Sequence, residues 1–356
     1  MMAFEQQRIA SIAVLRAQAG LGDMLCAVPA LRALRQMYGT ANVTLIGQAS
    51  STWLLDRFPT YIDRFAEFPG WLGLPERSVG YDQVERFVER MRAERFDLVV
   101  QLHGSGTLTN AVAGTLGARM MAGYVPRGSM QHVQGIFAPY PDDLPEVHRC
   151  LELVRLLGGT VDDDALEFPV TACDRLGASG LLAPWGQPAG PYVCVHPGSG
   201  IGRRRWPAER FAQVADGLAR DGLRVVLTGG PADRSLAQGV KAWMRSEAIN
   251  LAGKTSLGTL AALVSGADAV VCNDTGASHL ADALGVPSVV VFPAARGSAP
   301  VDPRRWAPLD RRLHRVFHEC ARGECGDGIV CEAEVTSGMV LSAARQLLAV
   351  GAPSAA

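Results

Sequence analysis

Asp268–Phe292 reads DAVVCNDTGASHLADALGVPSVVVF. The apolar run Ala269–Cys272 stops at Asn273-Asp274-Thr275-Gly276, a small-residue helical pattern follows, and a second apolar run closes the stretch at Ser288–Phe292. This is strand, polar turn, helix, strand, with the polar residues gathered where the first strand ends and the helix begins. In open α/β sheets ligands bind at that place, because the free backbone N–H groups of a helix start attract anions. The stretch therefore predicts an α/β fold and a ligand that carries phosphate.

The same rhythm recurs on both sides of the chain. Apolar strand candidates lie at Ile9–Leu15, Val43–Ile46, Leu98–Leu102 and Met120–Tyr124, then at Tyr192–His196, Val225–Thr228, Ala269–Cys272 and Val289–Phe292. Helical patterns such as Pro29–Met37 and Gln83–Glu94 separate them. Near-continuous apolar strands alternating with helices indicate parallel sheets covered on both faces. Leu181–Pro191 (LLAPWGQPAGP) reads as a linker, so the expected layout is two Rossmann-like domains facing a central cleft, residues 1–182 and 190–332. Residues 333–356 form a last helical pattern, expected to pack back on the first domain.

Composition narrows the function. With 48% hydrophobic and 19% charged residues and a net charge of −1, the chain lacks the basic excess of a nucleic-acid binder. No apolar run approaches the roughly 20 residues needed to cross a bilayer. The opening residues lack a signal-peptide layout, and a cytoplasmic location is the default expectation. Among eight cysteines, Cys320, Cys325 and Cys331 cluster with His318 in HECARGECGDGIVC. Their spacing matches no standard zinc ligand pair, so reduced thiols packing a loop are expected, with no metal and no cofactor.

Four segments carry candidate chemistry, each directly after a strand. Gly20-Leu21-Gly22-Asp23 is neither a dinucleotide fingerprint nor a Walker A loop; it presents one carboxylate, Asp23, which either caps a helix or faces a ligand. His196–Pro207 (HPGSGIGRRRWP) combines alternating glycines with Arg203, Arg204 and Arg205, a pattern that suits phosphate oxygens. Thr228–Asp233 (TGGPAD) ends in a carboxylate that accepts from ribose hydroxyls or simply starts the next helix. In the opening stretch, Thr275, Gly276 and Ala277 present N–H groups, with Asp274 and Ser278 beside them and His279 about one turn further in.

Taken together these pieces resemble glycosyltransferase family 9, the ADP-heptose:lipopolysaccharide heptosyltransferase family. The resemblance rests on Gly22-Asp23-Met24-Leu25 with Pro29-Ala30-Leu31, His196-Pro197-Gly198-Ser199, Arg204-Arg205-Trp206-Pro207, Gly229–Asp233 and Asp274–Leu280. Gln101–Gly106 and the C-terminal cysteines also look typical of the family. Each motif is weak alone, and their joint order over nearly the whole chain is specific. The resemblance implies a GT-B fold, with the acceptor on the N-terminal domain and the nucleotide-sugar donor on the C-terminal domain. It implies an inverting, metal-independent transfer of heptose from ADP-heptose to a lipopolysaccharide core acceptor, a glycolipid or saccharide, with peripheral association at the inner membrane. By matching position Asp23 is the implied general base, and Ser199, Arg204, Asp233, Asp274, Thr275, Gly276 and His279 are the implied donor-binding residues.

Two departures from the family pattern stand out: Arg204 replaces the usual Lys, and Pro293–Pro300 is altered beside the expected donor site. The alternatives are a relative using another nucleotide sugar or acceptor, a GT-B-like nucleotide-sugar epimerase, and a non-catalytic nucleotide-sugar binder.

Overall fold

The computed structural model describes residues 9–74, 80–129, 135–186, 190–200, 205–294, 301–320 and 325–351. The chain divides into two compact units, Met1–Ala165 and Leu166–Ala356. Among the described residues the first holds six parallel strands: β1 (Ser11–Leu15), β2 (Asn42–Gly47), β3 (Arg64–Glu67), β4 (Leu98–Gln101), β5 (Met120–Val125) and β6 (Gly135–Pro139). Their order across the sheet is β3-β2-β1-β4-β5-β6. Among the described residues the second holds seven: β7 (Tyr192–His196), β8 (Arg224–Leu227), β9 (Ala248–Asn250), β10 (Ala269–Asn273), β11 (Ser288–Phe292), β12 (His314–Glu319) and β13 (Ile329–Glu332). Their order is β13-β12-β11-β10-β7-β8-β9. Every pairing in both sheets is parallel. Both units are thus Rossmann-like, as the alternating apolar runs predicted.

Strand order locates the sites before any side chain is considered. The order reverses between β1 and β4 in the first sheet, and between β7 and β10 in the second. Helices leave in opposite directions at such a point, and the crevice beyond the strand ends is where an open α/β sheet accepts a ligand.

Packing explains why the elements hold. β7, β10 and β11 are buried along their whole length. Alternate residues Val193, Val195, Val225, Leu227, Ala269, Val271, Val289 and Val291 share one core with Phe211, Val214 and Leu218 of the helix Ala208–Arg220. Gly217 sits inside that helix at a propensity cost of about 1 kcal/mol. A Cβ there would lie 2.4 Å from Leu341 Cδ2, so the glycine admits the neighbouring helix. In the first unit Ala13, Leu15, Ile46, Val99 and Met121 pack with Phe87 and Met91 of the helix Tyr81–Ala93.

Two expectations about domain limits need correction. The helix Ala172–Leu182, opened by a Thr171/Asp174 capping box, belongs to the second unit rather than the first. Its Gly177 approaches Thr259 on the helix Leu257–Ser265. The chain therefore changes unit near residue 165, and the Pro- and Gly-rich stretch after Leu182 lies inside the second unit. The C-terminal helix Ser337–Gly351 also closes the second core, through Val340, Ala343, Ala344 and Leu347. Arg345 pairs with Asp221 at 2.7 and 2.9 Å beside that contact. The sequence reading placed this helix on the first domain; within its own unit it fills the core of the second.

Candidate functional site

In the first unit the reversal point is organised by a buried arginine that directly follows β1. Arg16 donates through Nε (2.9 Å) and Nη2 (2.5 Å) to the Asp23 carbonyl, and through Nη1 to the Leu102 carbonyl at 2.7 Å. Its Nη2 also meets Glu146 at 3.1 Å, and Glu146 is shared with Arg149 at the same distance. All three side chains are buried. Burial opposes the Arg16 charge, but Cys150, Glu146 and Asp23 outweigh it and hold its pKa above the ordinary value. Removing one partner from such a buried set costs roughly 3–5 kcal/mol, so the Asp23 turn is rigidly anchored.

Asp23 itself stands in the first turn of the short helix Leu21–Leu25. Its carboxylate lies over Gly20: a Cβ on that glycine would come 2.1 Å from Asp23 Oδ2. Across the reversal point a second polar network continues from β4. Gln101 donates to Thr109 at 2.5 Å and Asn110 at 3.1 Å, and its Oε1 accepts the His103 N–H. His103 Nδ1 in turn accepts the Ala17 N–H at 3.1 Å, which leaves the proton of the neutral ring on Nε2. Arg16 thus ties Asp23 to the residue preceding His103.

In the second unit three strand-end loops are stitched together. The loop after β8 carries Asp233, whose Oδ2 accepts the Gly230 N–H at 3.0 Å and whose Oδ1 meets Arg205 at 3.5 Å. A Cβ on Gly198 would come within 2.5 Å of that carboxylate, so the loop after β7 folds directly onto it. Arg205 also donates to the Ser199 carbonyl at 3.1 Å. The third loop joins through Asn273 at the end of β10, fully buried among apolar neighbours. Its Oδ1 accepts the Trp206 N–H at 3.0 Å and its Nδ2 donates to the Pro197 carbonyl at 2.7 Å. Trp206 is anchored by Phe211 edge-on and by a bond from Nε1 to the Val335 carbonyl.

The helix Gly276–Ala283 begins at this junction. Thr275 is extended and its side chain does not cap the helix, while Ser278 Oγ turns back to the Thr275 carbonyl at 2.7 Å. The Ser278 N–H also returns to the Thr275 carbonyl, at 3.0 Å, and the dipole of a helix start is worth roughly 0.3–1 kcal/mol to an anion. Charge-assisted bonds from an arginine are stronger, roughly 1.5–3 kcal/mol each. Asp274, Thr275 and Gly276 are half-buried, and His279 and Ser199 are buried. His196, closing β7, bonds Thr228 Oγ1 through Nδ1 at 3.1 Å. Burial, partly offset by Asp233, pulls its pKa down to about 4, so the ring is neutral at pH 7.

The strand ends thus bring Ser199, Asp233, Asp274, Thr275 and Gly276 to one edge of the second sheet. Asp23 belongs to the first unit, and Arg204 lies outside the described residues, as do 295–300 of the altered loop. Arg16, Gln101, His103 and Asn273 do the positioning, none of them expected to from the sequence, while Arg205, expected to meet phosphate, instead holds Ser199 and Asp233. For Arg16, Gln101 and Asn273 the signal was present: a polar residue ending or directly following an otherwise apolar strand. Elsewhere on the second sheet, His318, Cys320, Cys325 and Cys331 converge although their spacing gave no reason to expect a ligand set. Among the described residues no helix is long and apolar enough to cross a membrane.

Comparison with known proteins fits this geometry. Residues 84–326 match the family model described as glycosyltransferase family 9 (heptosyltransferase). Lipopolysaccharide heptosyltransferase 3 of Escherichia coli K12 is 24% identical over 94% of this chain and 97% of its own. Lipopolysaccharide heptosyltransferase 2 of Salmonella typhimurium is 31% identical, but the match spans only 39% of this chain and 41% of that protein. Among solved structures, a family 9 glycosyl transferase of Veillonella parvula superposes with a TM-score of 0.79 at 22% identity, covering 98% of this chain and all of that one. The E. coli ADP-heptose lipopolysaccharide heptosyltransferase II gives 0.73 at 22% identity, covering 96% and 99%. With most of its length matched by the family model, and with two Rossmann-like units, this chain belongs to glycosyltransferase family 9.

Proposed function

We propose that this enzyme transfers heptose from ADP-heptose to a lipopolysaccharide core acceptor, with inversion at the anomeric carbon. The observation that carries the proposal is the junction of three strand-end loops at the start of the helix Gly276–Ala283, within a chain of this family. The named relatives are lipopolysaccharide heptosyltransferases, which supports the sugar and the acceptor class.

In this mechanism Asp23 takes the proton of an acceptor hydroxyl as its oxygen attacks the anomeric carbon. The bond from that carbon to the diphosphate oxygen breaks, and the electron pair leaves with ADP. Arg204 and the N–H groups of Gly276 and Ala277 stabilise the departing charge. Ser199, Asp274, Thr275 and His279 line the donor side. Asp233 contributes by holding the loops after β7 and β8 together, with its remaining lone pairs available to a ribose hydroxyl. The acceptor would be met at the cytoplasmic face of the inner membrane, with the enzyme associated peripherally.

Calorimetric titration with ADP, GDP, UDP and dTDP, then with ADP-heptose, tests the donor; ADP should bind best, and indifference to the base would refute the heptose assignment. Asp23→Asn should lower kcat by about two orders of magnitude or more with donor affinity nearly unchanged. Unchanged turnover would remove Asp23 as the base.

A further inference from the structure

The cysteine-rich segment after β11 has a geometry that glycosyl transfer does not use. His318 lies near the end of β12 and pairs in parallel register with Cys331 of β13. Cys320 directly follows β12, and Cys325 stands on the connection between the two strands. Gly326 and Gly328, both with φ of +71°, and Asp327 at +54° turn the chain back tightly from Cys325 towards Cys331. As a result one imidazole nitrogen and three sulfurs lie within 4.8 Å of one another.

Individual distances have the scale of a coordination shell. His318 Nδ1 is 3.1 Å from Cys325 Sγ, and the sulfurs of Cys320 and Cys325 are 3.7 Å apart. Tetrahedral zinc with bonds of about 2.3 Å to sulfur requires sulfurs about 3.8 Å from each other. A disulfide would need them at about 2.05 Å. The four groups are half-buried. Three thiolates at this separation repel one another unless a cation lies among them.

We propose that His318, Cys320, Cys325 and Cys331 bind one zinc ion. Soft thiolates with one imidazole suit zinc, and four protein ligands leave no open position, so the role is structural rather than catalytic. The ion would pin the strand end that carries Glu319. That side chain accepts the Ala294 N–H at 3.1 Å and the Val335 N–H at 3.2 Å, and meets Arg210 at 3.5 Å. Zinc thereby supports both the loop leaving β11 and the entry to the C-terminal helix. The strand pairing supplies the proximity that the H-x-C-x4-C-x5-C spacing conceals.

Elemental analysis of the full chain, purified under reducing conditions from zinc-replete medium, should find about one zinc per chain. The Cys325→Ser/Cys331→Ser variant should carry almost none. Cobalt(II) added to the chelator-stripped wild-type protein should give the thiolate charge-transfer and visible bands of a tetrahedral site, and the variant should not. Alkylation followed by mass spectrometry should show Cys320, Cys325 and Cys331 protected until chelator is added, a readout that needs no folded variant. Metal-free wild-type protein without cobalt–thiolate bands would overturn the proposal. So would zinc content unchanged by the substitutions, stoichiometric iron instead of zinc, or a Cys320–Cys325 disulfide that persists in protein purified under those reducing conditions.

Discussion

Gly20 has φ and ψ of −75° and 139°, values open to any residue, yet a single methyl group there would collide with Asp23 Oδ2. Gly20→Ala should therefore displace the carboxylate with little effect on the backbone. We expect kcat to fall about tenfold to a hundredfold with Tm nearly unchanged, read by steady-state kinetics beside a thermal melt. Unaltered kcat would separate Asp23 from the chemistry. His196 sets a different test. Its ring is held neutral down to about pH 4, against an ordinary value of 6.5. Below pH 6.5 the unfolded chain takes up a proton that the folded chain refuses, so stability present above that pH is lost as pH falls towards 4. The loss reaches roughly 3 kcal/mol at most. Urea midpoints between pH 7 and 4.5 should fall less steeply for His196→Gln than for the wild type. Gly198 and His196 stood out in the sequence as loop and strand-end residues. What each one touches did not, because Asp233 over Gly198 and Thr228 beside His196 are meetings between separate strands.

The interior strands β1, β4, β7, β10 and β11 were legible because burial on both faces leaves an unbroken apolar run. β3 (RFAE), β6 (GIFAP), β9 (AIN) and β13 (IVCE) were not, since each is a short edge strand with one neighbour and mixed exposure. β12 (HRVFHE) is internal but carries polar residues at both ends, and it escaped for that reason. The cross-links at the candidate site were hidden in the same way: Asn273 reads as the first polar residue of a turn, while its partners Pro197 and Trp206 are 76 and 67 residues away. Helix packing yields its own prediction. Gly217→Ala gains about 1 kcal/mol of helix propensity but drives a Cβ into Leu341. Overpacking costs roughly 1–3 kcal/mol, so the net change should be destabilising, and Leu341→Ala in the same chain should recover part of the loss. Denaturant titration of the single and double variants decides; a stabilised Gly217→Ala would show that the C-terminal helix yields.

At the scale of the molecule, the unit limits can be tested by excision. A fragment begun at Leu166 keeps the helix Ala172–Leu182 against the helix Leu257–Ser265 and should fold and bind ADP, whereas one begun at Gly190 should aggregate. Equal solubility and cooperative unfolding of both fragments would restore the later boundary. The C-terminal helix has a further consequence, for the order of events on the ribosome. All six strands of the first unit have been synthesised by Pro139, so that core can form while most of the chain is still unmade. The second core waits for Val340, Ala344 and Leu347, which follow every strand they cover. Until that helix emerges, the nascent second sheet shows an open apolar face. A chaperone that shields such faces should therefore engage this chain late in its synthesis, long after the first unit has closed.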